Sequence, residues 1–360
     1  MAPWLGGVVR VVRSAMKSQA VWRWLRQASI IGAVALAAAG CGVVGRGPAS
    51  TALPAGDNAK TIWDMFIWIF WISVLVFLVV AVVLTIALIR FRERPGETRL
   101  PRQIHGNTRL EIAWTLVPVV ILAVIAVPTI SNIFAFDRDP GPNAIKVKVI
   151  GHQWWWEFQY PDYNIVTADD LHIVVNRPVL LEMTSADVIH SFWPPELSGK
   201  RDAIPGKTNL WSFTPLKTGE YQGQCAQFCG DQHANMRFRV IVQTQEEFDA
   251  WVKQQQQPAA DVSNNPLAVK GQQIFFTPSN GCIGCHMING TQAQGKVGPN
   301  LTHFGSRDII AGGILTNTPE NLSKWLTDPQ AVKPGAKMVL PRKLTPDEVQ
   351  ALVAYLESLK

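Results

Sequence analysis

Charge is what this sequence has least of. Asp, Glu, Lys and Arg make up only 17% of its 360 residues, and two long uncharged runs account for much of that deficit. The net charge of +6 would suit a nucleic-acid ligand. Much of the basic excess, however, sits in the N-terminal leader and in one short segment between the apolar runs. That placement orients a membrane protein and builds no nucleic-acid groove. Cysteine is scarce too, with five residues: Cys41, Cys225, Cys229, Cys282 and Cys285. An odd number, grouped as one lone thiol, one C-x3-C and one C-x2-C, excludes a scattered disulfide framework. The seven histidines are too few for a polyhistidine catalytic cluster. At this length the chain exceeds one ordinary domain and calls for two compact ones plus extras.

The first of the extras is a leader. Arg10, Arg13, Lys17, Arg23 and Arg26 precede apolar Ile30 to Ala39, which ends in Gly40 and Cys41. A basic stretch, a short apolar stretch and small residues before a cut mark a secretory signal over 1–40. The cysteine after the small residues resembles a bacterial lipoprotein site, with Cys41 lipidated, although Ala38 stands where Leu is usual. Residues 41–60 then form an outer linker. Two spans follow, 61–89 and 110–136, each long enough at ~1.5 Å per residue to cross ~30 Å of hydrocarbon. Trp63, Trp68 and Trp71 crowd the first, as an aromatic belt does, and the second tolerates Pro118 and Pro128. The 90–109 loop holds Arg90, Arg92, Arg94, Arg99, Arg102 and Arg109 against only Glu93 and Glu97. The positive-inside rule makes that loop cytoplasmic and everything after Phe136 external, in a bacterial plasma membrane.

Beyond Ala144 the pattern changes to period two, in Ile145 to Val149, Leu171 to Val175 and Met236 to Val242, so residues 142–245 read as a β-sandwich or barrel. Within it lies Cys225-Ala-Gln-Phe-Cys229-Gly-Asp-Gln-His233-Ala-Asn-Met236. Two thiolates, an imidazole and a thioether are a soft donor set of the kind used by electron-transfer copper sites. Zinc is the competing metal, and Met236 argues against it, since a thioether adds little to zinc.

This loop resembles the dinuclear copper loop of cytochrome c oxidase subunit II in the haem–copper oxidase family. Asp187-Val-Ile-His190 resembles the segment that carries that family's other histidine. The resemblance implies that Cys225 and Cys229 bridge two coppers and that His190 and His233 take one each. It also implies that Met236 and the backbone carbonyl of Gln227 are the weaker ligands. The family usually has Glu where Gln227 stands. A neutral amide is a poor Mg²⁺ ligand, which argues against the Mg²⁺ contact the family makes at the subunit I boundary. Gly151-His-Gln-Trp154-Trp-Trp156 resembles the family's aromatic segment, in which the first Trp, here Trp154, receives electrons from cytochrome c; His152 reads as structural. Arg201 to Gly206 and His105 to Pro118 also match family segments. The latter implies that Glu111, an acid at the inner membrane edge, marks the mouth of a proton pathway.

Gln254 to Gln257 with Pro258 reads as part of a solvated linker over 246–265. Cys282-Ile-Gly-Cys285-His286 then gives the attachment signature of a c-type haem, with the thiols adding to the vinyl groups and His286 on the iron. Met287 adjoins His286 and cannot reach the opposite face of the ring. Met338, after Lys333-Pro-Gly-Ala-Lys, lies in a loop resembling that of class I cytochromes c and is the expected sixth ligand; His303 is the alternative. Residues 266–360 thus form a cytochrome c domain closed by a capped amphipathic helix that starts at Thr345.

The fold class expected is a multi-domain membrane protein: a two-helix transmembrane hairpin, an all-β cupredoxin-like copper domain and an all-α cytochrome c domain. The family implies an electron-input subunit of a proton-pumping, O2-reducing oxidase. Its partners would be membrane lipid, subunits I and III, and an external donor such as cytochrome c or a quinol–cytochrome c reductase. The alternatives are the input subunit of a copper-containing nitric oxide reductase, a copper-delivery or sensing protein, and a quinol oxidase subunit that lacks the copper.

Overall fold

The computed structural model describes residues 49–92 and 105–360, together with 26, 28, 29, 32, 47, 96 and 103. Cys41, most of the 1–40 leader and part of the 90–109 loop lie outside the described residues. The expected fold class is present: two apolar helices, a β domain and a helical C-terminal domain.

Helices α1 (Asp57–Arg90) and α2 (Thr108–Phe136) are the membrane spans. Their apolar side chains are exposed all round, with Phe77 at 69%, Leu88 at 67% and Val127 at 71%, so both helices need a non-aqueous surrounding. Helix α1 begins before residue 61 because its first turn is seated on the β domain. The Asp57 carboxylate accepts from Thr214 N–H (2.8 Å), and Asn58 Nδ2 donates to Ser212 O (2.8 Å). Part of the expected 41–60 linker is likewise docked, since Ala55 N–H donates to Glu196 O and Ala55 O accepts from Leu216 N–H. Helix α2 starts at Thr108 because the Asn107 side chain accepts from the Arg109 and Leu110 amides, satisfying two otherwise unpaired donors.

The β domain stacks two five-stranded sheets. One runs β3 (Ile165–Ala168), β2 (Trp155–Tyr160), β1 (Ile145–His152), β5 (Val179–Ser185), β8 (Asn209–Phe213). The other runs β4 (Asp170–Val174), β10 (Arg237–Gln243), β9 (Gly219–Cys225), β6 (His190–Trp193), β7 (Arg201–Ala203). Pairs β1–β5 and β10–β4 are parallel and the others antiparallel. Alternate residues of β1 and β10 point inward, meeting Trp156, Phe158, Phe192 and Phe238 in an aromatic core.

The expected linker over 246–265 is corrected. Helix α3 (Gln245–Gln255) occupies half of it, held at its start by a reciprocal Thr244–Glu247 capping box. Its Phe248 and Val252 are buried in the β-domain core. The Gln run suggests a solvated tether, but the Phe–Val spacing gives one apolar face and tertiary packing overrides the composition.

The C-terminal domain contains α4 (Pro266–Phe276), α5 (Cys282–Cys285), a two-residue hairpin of β11 (Ile309–Ile310) and β12 (Leu315–Thr316), α6 (Pro319–Thr327), α7 (Pro329–Val332) and α8 (Pro346–Ser358). Thr345 and Glu348 form the capping box of α8, whose Val349, Leu352, Val353 and Leu356 are buried. The terminal helices α4 and α8 pack together through Phe275 and Tyr355, with ring centroids 5.7 Å apart.

Candidate functional site

Two short connections at one end of the β domain build the first site. Strand β6 opens on His190, β9 closes on Cys225, and the loop between β9 and β10 supplies Cys229, His233 and Met236. His190 and Met236 are fully buried and the two cysteines nearly so. The sulfurs of Cys225 and Cys229 lie 3.8 Å apart. His190 Nδ1 is 3.9 Å from the first sulfur and His233 Nδ1 3.5 Å from the second. Gln227 O lies 3.2 Å from Cys225 Sγ, while Met236 Sδ lies 3.9 Å from Cys229 Sγ. Two sulfurs therefore stand between two imidazoles, with a carbonyl on one side and a thioether on the other. The Cys229 thiol favours Cys225 as the thiolate and lowers its pKa, and Cys229 is pushed up in turn. A thiolate poised in this way is a metal-ligand form. The donor set fits copper, and the described residues also group His190, Cys225 and Cys229 as a metal-capable cluster.

The surroundings of His190 are specific. Its Nε2 donates to Asp187 Oδ1 at 2.8 Å, which leaves the Nδ1 lone pair facing the sulfurs. Gly151 makes room for the ring, since a Cβ there would lie 2.7 Å from His190 Cδ2. Burial alone would raise the Asp187 carboxyl, but hydrogen bonds from His190, the Gln153 and Val188 amides and Lys337 hold it well below the usual carboxylate range. Asp187 is a residue the motif reading did not single out; its position three before His190 is the one local clue.

The second site is a cavity of about 430 Å³ between the β domain and the C-terminal domain. Cys282, Cys285, His286 and Met338 all line it, with Trp154 and Asp187 on the β-domain side. His286 Nδ1 donates to Pro299 O at 2.8 Å, which fixes the ring and leaves Nε2 to face the cavity as a ligand would. Gly298 lets the ring sit there: a Cβ would be 2.6 Å from His286 Cε1. His303 is not in this cavity wall; its Nε2 donates to Gln255 O. Met287 is turned toward Asn300 Nδ2, 3.7 Å away. Two cysteines, one histidine and one thioether around a largely apolar cleft fit a c-type haem.

Trp154 sits between the two sites. It is only 8% exposed, because the C-terminal domain covers it. Its Nε1 and Gln153 Nε2 both donate to Cys229 O, at 3.0 and 2.8 Å. His152 stacks on Trp155 (4.2 Å, 8°) and pairs with Glu157 at 3.3 Å. Glu111 lies apart from both sites, and Gln227 reaches the first only through its backbone carbonyl. Glu111 is an exposed residue in the first turn of α2, a span away from the β domain. The side chain of Gln227 is exposed.

Lys333 is a second residue that motif reading missed. It is 2% exposed, and its ammonium donates to Trp154 O, Asn235 O and Ala311 O, each at 2.8 Å. Burial pulls its pKa down to about 8, opposed by the charge of Asp169.

Comparison with known proteins covers most of the chain. Residues 51–131 match the family described as cytochrome c oxidase subunit II, transmembrane domain, and 166–244 match its periplasmic domain. Residues 268–360 match cytochrome c. Cytochrome c oxidase subunit 2 of Alkalihalophilus pseudofirmus is 41% identical over 312 residues, covering 85% of this chain and 90% of the relative. That of Bacillus sp. strain PS3 is 40% identical over 350 residues, 92% of this chain and 96% of the relative. Among solved structures, the periplasmic domain of subunit II of the Bradyrhizobium japonicum cytochrome oxidase is 32% identical. It covers 32% of this chain and 96% of that one, at a TM-score of 0.32.

Proposed function

Since the chain belongs to the cytochrome c oxidase subunit II family and carries a cytochrome c domain behind the β domain, we propose that it is the electron-input subunit of a proton-pumping haem–copper oxidase. Cys225, Cys229, His190, His233, Met236 and the Gln227 carbonyl would hold a dinuclear copper; Cys282 and Cys285 would hold a haem covalently, between His286 and Met338. When bound, the two groups supply reversible one-electron chemistry, from an external donor such as cytochrome c or a quinol–cytochrome c reductase to the O2-reducing site of subunit I.

The chain's own residues prepare that exchange. Asp187 and Gly151 orient His190, and Pro299 O and Gly298 orient His286. Burial of both cysteines and Met236 excludes water from the first site. Rigid, dry donor sets keep the rearrangement that accompanies each change of charge small. Trp154 lies under the C-terminal domain, with its indole on the Cys229 carbonyl, so the electron that reaches it comes from that domain and not from a free donor. Tethering replaces a diffusive encounter with one at an effective concentration of ~mM. The arginines of the 90–109 loop support a cytoplasmic loop and external domains; with α1 docked onto it, the β domain would then lie close to the outer membrane surface. Subunits I and III would cover the apolar flanks of α1 and α2, and Glu111 would stand at a proton-path mouth on the inner face.

The observation that carries this reading is the pair of donor sets, one of soft sulfur and imidazole and one of Cys, Cys, His and Met, on adjoining faces of two domains. Purified with its partners, the protein should contain two coppers per haem, show a near-infrared copper band and a c-type haem band, and consume O2. Zinc in place of the two coppers would overturn the reading. Met338→Ala should lower the haem potential by on the order of 0.1 V, inside the ~0.8 V range that axial ligands span; an unchanged potential moves the sixth ligand elsewhere.

A further inference from the structure

The five residues before Met338 are anchored to the β domain. Gln232 Nε2 donates to Pro334 O at 2.9 Å, and Lys337 Nζ reaches Asp187 Oδ2 at 3.0 Å. The deepest anchor is Lys333. An ammonium has three donors, and all three are spent on carbonyls, one each from Trp154, Asn235 and Ala311. Trp154 carries the indole that binds Cys229 O, and Asn235 immediately precedes Met236. A single side chain therefore ties the Met338 loop to two segments of the sulfur–imidazole site and to the β11–β12 turn of its own domain. An apolar residue in its place would leave one buried and two part-buried carbonyls without this partner. A further ion pair between the domains, Arg239 with Asp308 at 3.0 Å, has its acid 67% exposed and is worth little by comparison.

We propose that Lys333 is a positioning residue that locks the C-terminal domain onto the β domain, holding the Met338 loop at a fixed separation from the Trp154 and Met236 segments. The proposal rests on the reading of this chain as an electron-input subunit for its consequence, but not for the lock itself. An exchangeable reporter of docking exists: the Arg237 amide donates across the interface to Gly312 O at 2.9 Å.

Hydrogen exchange is measured on the full chain with its cofactors, in wild type, Lys333→Met and Asp308→Asn. Removing charge-assisted bonds should speed Arg237 exchange at least about tenfold in Lys333→Met, with both absorption spectra kept and the β-sheet amides still protected. Asp308→Asn should stay near wild type. In the same samples, haem-to-copper transfer after flash reduction should slow about tenfold in Lys333→Met and become dependent on solvent viscosity, while both potentials hold. If Lys333→Met does not fold, Lys333→Gln, which keeps two donors, should show the same changes to a lesser degree. Unaltered Arg237 exchange in whichever variant folds sinks the lock. No haem-to-copper transfer in a wild type whose Arg237 is protected sinks the electron-input reading and leaves the lock standing.

Discussion

The carboxylate of Asp187 decides which nitrogen of His190 faces the sulfurs, because a ring that donates from Nε2 presents its lone pair at Nδ1. Carboxylates in this position support the ligand's orientation and basicity. Asp187→Asn should therefore weaken copper binding about 10–100-fold, read by competition with a chelator of known affinity; an affinity equal to wild type would show that packing against Gly151 alone orients the ring. A second residue-level consequence concerns His172. It stacks on Trp251 at 4.3 Å and donates from Nδ1 to Gln243, and burial pulls its pKa down to about 4. The unfolded chain, with an ordinary histidine, takes up the proton first as pH falls. The contribution of His172 is thus whole above about 6.5 and is lost progressively as pH falls toward 4. Between pH 7 and 5 this amounts to about 1–2 kcal/mol. Melting curves of His172→Phe, which keeps the stacking, should fall less steeply over that window than wild type; parallel curves would refute the assignment.

Among the elements, helix α3 is where composition and packing disagree. A stretch rich in Gln looks like a tether, yet its Phe248 enters the β-domain core fully buried and packs against Tyr163 at 5.5 Å. Phe248→Ala should cost about 3–5 kcal/mol, whereas Thr244→Ala, which removes only the cap, should cost about 1 kcal/mol. Equilibrium denaturation of the two variants separates them, and equal small losses would return α3 to the status of a linker. The apolar spans, the alternating β1 and β10 and the capped α8 were all legible from residue order, because each depends on neighbours within a turn or a strand. The docking of α1 was not. It is fixed by Asp57 and Asn58 binding Thr214 and Ser212, more than 150 positions away, and no local pattern announces such partners.

At the scale of the molecule, two domains share one cavity and one network of hydrogen bonds. Gln254 donates to Ser306 and Gln256 to Tyr163 O, so the segment joining the domains is itself held. The proposed external placement of both domains predicts that protease added to right-side-out vesicles cleaves residues 257–263 and spares the 90–109 loop, with the reverse pattern in inverted vesicles. Cleavage of the loop from the outer side would invert the topology.

Residue order by itself determined the two apolar helices and the β region, and it named the proposed donors. Ligand motifs such as Cys225 to Met236 and Cys282 to His286 are short, and the soft or covalent chemistry of their residue types is independent of the rest of the fold. Tertiary structure alone decided which groups serve those donors and how the domains meet. Lys333 lies 179 positions from Trp154, and Lys337 150 positions from Asp187. A lysine in a Lys-Pro-Gly loop gives no sign of being buried until three carbonyls from separate segments converge on it. Such convergence is a property of packed surfaces, and a one-dimensional pattern carries no record of it.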